Sequence, residues 1–159
     1  MARYAAETKR PIRKISAEAM DLLKRYHWPG NVRGVVFTGD NVFYKCRTWL
    51  QECDPWEWLA ALDAIAALDV ETIVPGHGDP CGKEYLKEQA QIVENWVGLV
   101  ERFVDRGLSA DEALKEPIAV TKQDPYPIGQ RLFVHDERLT GLIVRNLHKR
   151  ILDKKQARA

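Results

Sequence analysis

The chain has 159 residues, 45% of them apolar and 30% charged, with ten glycines and a net charge of +1. These proportions are those of an ordinary globular domain and exclude a disordered tail, a collagen-like repeat and a disulfide miniprotein. No run approaches the roughly 20 apolar residues of a membrane span, and the first residues (MARYAAETKRPIRK) hold no secretory apolar core. The expectation is a cytoplasmic chain with no membrane contact, whose three cysteines stay thiols. With 24 basic groups against 23 acidic ones, a dedicated nucleic-acid binder is not expected. Residues 1–33 hold eight basic groups against three acidic ones, and the C-terminus (HKRILDKKQAR) is also basic. These charges read as solvated helix faces.

In chain order, Ser16 caps a predicted helix from Ala17 to about His27, stopped by Trp28-Pro29-Gly30-Asn31. Val32 to Thr38 reads as a buried strand bounded by Gly39. Asp54-Pro55-Trp56-Glu57 is a helix start with a capping box, and that helix runs to about Leu68. Glu71 to Val74 is a second short strand, ended by Pro75 and Gly76. Lys83 to Arg106 carries a helical apolar stripe and stops at Gly107. Ser109 and Glu112 open a short helix, Pro117 to Gly129 reads as loop, and a last helix spans about Asp136 to Lys154. Two short strands separated by a helix predict a parallel pair. Such a pair needs cover on both faces and leaves its edges open. The chain therefore reads as part of a larger sheet protein, or as one that completes its sheet with a partner.

Chemistry concentrates at the predicted strand ends. Asp40 follows the first strand on a glycine turn, and His77 follows the second between Gly76 and Gly78. Parallel neighbours would bring both to the edge where open α/β sheets place ligands. An oxygen and a nitrogen donor so arranged suit zinc or iron. The plainer readings, a turn aspartate and a hydrogen-bonded histidine, stand beside this one.

Gly-Val-Val-Phe-Thr-Gly-Asp-Asn (34–41), followed by Thr-Ile-Val-Pro-Gly-His-Gly-Asp (72–79), resembles the second half of a metallo-β-lactamase-fold hydrolase. The resemblance implies an α/β fold over about 34–152: a truncated half of an αββα sandwich, helix-rich with two short strands and preceded by an N-terminal helix. In that family the Asp of the first motif bridges two metal ions and the His of the second binds one, which here would be Asp40 and His77. The family's His-x-His-x-Asp-His motif is absent, and the four histidines (His27, His77, His135, His148) are scattered. Residues 12–33, with Trp-Pro-Gly-Asn-Val-Arg, resemble the AAA+ lid of bacterial enhancer-binding activators, whose nucleotide-sensing Arg corresponds to Arg33. No GxxxxGK[ST] loop accompanies it, so ATP hydrolysis is not expected. The chain reads as a chimera of 1–33 and 34–159, whether a natural or metagenomic fusion, a cloning product or a laboratory one.

The resulting expectation is a metal-dependent hydrolase of small-molecule activated esters, phosphodi- or phosphotriesters ahead of lactams. Its cofactor would be zinc or another divalent metal such as iron or manganese. Two ligands hold an ion weakly. Further donors would be Cys81, Asp79, Cys46 or His135-Asp136, or a second copy in a two-fold homodimer. Cys81 reads equally as a core residue and His135 as a helix-start residue. Lys45 or Arg47 would stabilise an oxyanion or phosphoryl oxygens. Trp49, Trp56 and Trp58 suit either a dimer interface or the core. The alternative is a non-catalytic fragment that dimerises, or binds a partner through its exposed sheet.

Overall fold

The computed structural model describes residues 34–127 and 136–157. These fall in one compact unit, Arg33–Ala159. The expected Ser16-capped helix, the Trp28–Asn31 turn, Arg33 and His135 lie outside the described residues. The elements are β1 (Val35–Phe43), α1 (Pro55–Ala66), β2 (Thr72–His77), α2 (Glu84–Asp105), α3 (Ala110–Ala113), α4 (Val120–Gln123) and α5 (Asp136–Gln156).

β1 and β2 form the expected parallel pair, with Val35 opposite Thr72, Gly39 opposite Pro75 and Phe43 opposite His77. Both strands run further than their sequence signals indicate. Gly39 adopts φ +52° and shifts the register, so the chain bulges there and pairing resumes at Phe43. In β2, Pro75 and Gly76 are carried inside the strand. Among the described residues β2 is paired on one side only at Pro75, where a residue without an N–H is tolerated. Antiparallel pairing of Ile73 with Cys81 extends β2 on its other side.

Asp54 caps α1, its Oδ1 accepting from the N–H groups of Trp56 (3.0 Å) and Glu57 (3.2 Å). The helix stops at Ala66, earlier than Leu68, and Lys83 Nζ donates to the carbonyls of Ala66 and Leu68 beyond its end. α2 buries Tyr85, Gln89, Ile92, Val93, Trp96, Val100 and Phe103 along one stripe. It ends in a Schellman arrangement: Leu108 N–H bonds Phe103 O, Gly107 N–H bonds Val104 O, and Gly107 takes φ +74°. The Ser109–Glu112 capping box is formed in both directions. The proline-rich stretch contains one helical turn, α4, which fits between Pro117 and Pro125 where no proline interrupts it.

α1 and α5 both pack against α2, and α1 and α2 cover β1. Trp96, Leu62, Ile73, Leu139, Ile143 and Leu147 are almost wholly buried, each worth about 1.5–3 kcal/mol of burial. Phe37 on β1, at 79%, is the most exposed large apolar residue among those described. One face of the strand therefore lacks cover among the described residues.

Candidate functional site

The far end of β1 is held by side chains from two helices. Gln89, fully buried on α2, accepts from Phe43 N–H (2.9 Å) and donates to Asn41 O (2.9 Å). Trp58 Nε1–H of α1 also donates to Asn41 O, at 2.8 Å. Tyr85 Oη–H donates to Phe43 O (2.7 Å) and accepts from Lys45 N–H (3.1 Å). The backbone following Asp40 is thus bonded to side chains of α1 and α2 at Asn41, Phe43 and Lys45, which restrains the strand from which that carboxylate emerges.

β2 and the turn after it then approach closely because Gly76 in the strand and Gly78 beyond it lack side chains. A Cβ on Gly76 would lie 2.4 Å from Asp40 Oδ1 and 2.6 Å from the Gly39 carbonyl carbon. One on Gly78, at φ +92°, would lie 2.1 Å from Tyr44 O. The approach is closed by Tyr44 N–H donating to His77 O at 2.8 Å.

His77 Nε2 lies 3.4 Å from Asp40 Oδ1, with the two side chains 41% and 78% exposed. The imidazole stacks on Phe43, ring centroids 4.8 Å apart and planes 10° apart. Two donors each bonded to one tetrahedral ion at zinc-like distances stand about 3.4 Å apart. The pair therefore has the chemistry and spacing of two ligands of a divalent ion. Among the described residues, no group of three or more His, Cys, Asp or Glu side chains could hold a metal ion. Asp40 and His77 are two donors of the kind such an ion takes, fewer than the three or four of a tight site.

The other expected site residues go elsewhere. Cys81 is buried in the apolar core and exchanges two backbone hydrogen bonds with Ile73, and it forms no ligand cluster with Asp40 and His77. Burial pushes its thiol pKa up, which opposes the thiolate a metal needs. Cys46 is likewise raised, by burial first and then by Asp124. Arg47 is buried: its Nε donates to Tyr126 O at 2.9 Å and lies 3.8 Å from Asp124 Oδ2. Asp124 accepts from the N–H groups of Thr48 and Tyr126. This arrangement ties the β1–α1 loop to the segment after α4 and leaves Arg47 inside the fold. Lys45 remains exposed on the turn, its Nζ 5.1 Å from the Tyr44 ring centre.

Beside Asp40 opens a cleft of about 620 Å³ whose lining includes Asp40, Trp49, Glu52, Glu57, Trp58 and Arg150. Trp58 is a core residue packed edge-on to Phe43. Trp56 is half-buried under Lys154.

Residues 30–77 match the metallo-beta-lactamase superfamily. That match reaches from before β1 to His77 and so contains both rim residues. Residues 1–41 match the AAA+ ATPase lid domain, and the two matches overlap over 30–41. A 68-residue stretch is 29% identical to a linear primary-alkylsulfatase of Pseudomonas sp. (strain ATCC 19151), covering 40% of this chain and 13% of that protein. The chain thus spans a small part of the curated relative it matches. The metallo-beta-lactamase likeness is shown over 30–77, a narrower range than the 34–152 its motifs suggested.

Gln89 and Tyr85, which position the Asp40 segment, are absent from the sequence-based site. A signal for Gln89 exists: it occupies the buried stripe of α2, four residues after Tyr85 and three before Ile92. A polar side chain on such a stripe requires a partner.

Proposed function

We propose that the chain carries half of a metal-dependent hydrolytic centre acting on activated esters. The observation supporting this reading is the Asp40–His77 pair, two metal-type donors 3.4 Å apart, Asp40 within β1 and His77 at the end of β2. The metallo-beta-lactamase match over those same residues supports the reaction class, and the alkylsulfatase relative extends the candidate esters to sulfate monoesters. Asp40 and His77 would hold the ion, zinc or another divalent metal. When bound, it supplies Lewis acidity and a water nucleophile at neutral pH. The chain's own contribution is orientation. Phe43 fixes the imidazole plane, the Gln89 and Tyr85 bonds fix the strand behind Asp40, and Gly76 lets the two strands close up. The remaining donors come from outside the described residues, and a second copy of the chain is one source. A two-fold homodimer brings two Asp40–His77 pairs.

The test is turnover of 4-nitrophenyl phosphodiester, phosphotriester and sulfate substrates by wild type, Asp40→Ala and His77→Ala. Asp40 is exposed and His77 half-buried against Phe43, so circular dichroism accompanies the rates to check that the variants keep the fold. Each should lose at least a hundredfold in rate, and unchanged rates in both would overturn the proposal.

A second reading is supported by Phe37, 79% exposed on β1 of a sheet of only two described strands. In that reading the chain is a non-catalytic fragment that dimerises or binds a partner through its sheet. It predicts folding stability that ignores added Zn²⁺, and self-association lost in Phe37→Lys.

A further inference from the structure

We infer that the turn at Lys45 is a strained spacer that sets the His77 imidazole, with the Tyr85 hydroxyl as its positioning residue. What His77 is set for rests on the hydrolase reading above, but the positioning does not.

Lys45 has φ +52°, the only positive value at a non-glycine residue among those described. An L side chain keeps this left-handed conformation where surrounding bonds over-determine it, and such strain gathers at functional sites. Lys45 is exposed, so burial of its own side chain does not impose the conformation. The bonds that do so lie on both sides of it. Tyr85, buried on α2, spans the turn: its Oη–H donates to Phe43 O at 2.7 Å and the same oxygen accepts from Lys45 N–H at 3.1 Å. Downstream, Arg47 N–H donates to Pro127 O at 2.9 Å and Thr48 N–H to the buried Asp124 Oδ2 at 2.8 Å. The chain after Lys45 is therefore anchored and offers no slack.

The residues just before Lys45 are the ones that touch His77. Tyr44 N–H donates to His77 O at 2.8 Å, and Phe43 stacks on the imidazole. Gln89 holds Phe43 through its N–H, which leaves the carbonyl side of Phe43, and Tyr44 beyond it, to the Tyr85 hydroxyl. With residues 47 and 48 anchored, relaxation of Lys45 to negative φ swings that part of the chain away from His77. A glycine at position 45 takes φ +52° freely and so has no need of the hydroxyl.

The test follows, in metal-free protein, the nuclear Overhauser intensity between the Phe43 ring and the His77 imidazole protons, beside thermal unfolding. Tyr85→Phe keeps the ring in the core and removes the hydroxyl, and should cut that intensity about twofold. Lys45→Val, a β-branched residue that resists positive φ at an exposed position, should cut it as well. Lys45→Gly should leave it at the wild-type level, and Tyr85→Phe with Lys45→Gly should regain about half of what Tyr85→Phe loses. A purely structural role would move the unfolding temperature and leave the contact in place. Unchanged intensity in Tyr85→Phe or in Lys45→Val, or no recovery in the double variant, would overturn the inference. If Tyr85→Phe does not fold, Lys45→Val and Lys45→Gly decide alone. Zinc titration of the same proteins keeps the two proposals apart. A contact that falls and recovers in a chain that binds no zinc removes the hydrolase reading alone, and zinc binding with the contact unmoved removes this one alone.

Discussion

The ring of Phe43 lies flat against the imidazole of His77, 4.8 Å between centroids. Phe43 is itself buried and bonded at N–H and C=O to Gln89 and Tyr85, so the stack transmits the rigidity of α2 to an exposed histidine. Phe43→Leu keeps most of the apolar volume and should cost about 1 kcal/mol of stability. It should lower affinity for Zn²⁺ several-fold, because the ring plane is no longer set. Calorimetric zinc titration beside thermal unfolding separates the two effects. A variant that binds zinc as wild type does would show that the stack is packing alone.

Gly76 and Gly78 differ from ordinary turn glycines in what a methyl group would strike. At Gly76 the obstruction is the Asp40 carboxylate and the Gly39 backbone, and at Gly78 it is the Tyr44 carbonyl in a left-handed conformation. Gly78→Ala should destabilise by about 1–3 kcal/mol through strain and separation of the strands. Gly76→Ala should in addition displace Asp40 and abolish its function. Denaturant unfolding and metal affinity measured together check both. A neutral Gly76→Ala would contradict the close approach of β2 to β1.

Gln89→Leu replaces a buried amide with an apolar side chain of similar size and leaves Phe43 N–H without its acceptor. The expected loss is about 1–3 kcal/mol for that stranded group, with reduced amide-exchange protection centred on residues 41–45. A stability equal to wild type would mean that the clamp contributes nothing.

Burial pushes the Cys53 thiol from its ordinary 9.0 up to about 11. The folded state therefore holds this proton more tightly than the unfolded chain does. Its contribution to stability is complete below pH 9 and is lost as pH rises through about 11. At pH 8.5 Cys53 should react with iodoacetamide roughly a hundredfold more slowly than an unhindered thiol. Mass spectrometry of the modified peptide reads this directly, and alkylation at the rate of the denatured chain would contradict it.

Asp40 and His77 could be singled out because each follows a short apolar run and adjoins glycine, although β1 runs on past Asp40 to Phe43 and only His77 stands at a strand end. Their meeting followed from parallel pairing alone. The strand limits were less legible, since Gly39 and Pro75 are ordinary stop signals and only the pairing with a second edge strand carries the chain past them. Arg47 was misjudged for a different reason. Its partner Asp124 lies 77 residues away in sequence, so nothing local marks the residue as buried. Gln89 could be marked as a polar residue on the buried stripe of α2, but its partners, backbone groups of another element, could not be read locally. Long-range hydrogen bonds leave little trace in local composition, whereas caps such as Ser109–Glu112 and Asp54 could be read directly.

The central claim is that Asp40 and His77 hold a divalent ion together. Titration of chelator-treated protein with Zn²⁺ by isothermal calorimetry, in wild type, Asp40→Ala and His77→Ala, tests it most directly. The account predicts saturable binding by wild type and at least a tenfold loss of affinity in each variant, with circular dichroism unchanged. No binding by wild type, or binding that survives both substitutions, would contradict it.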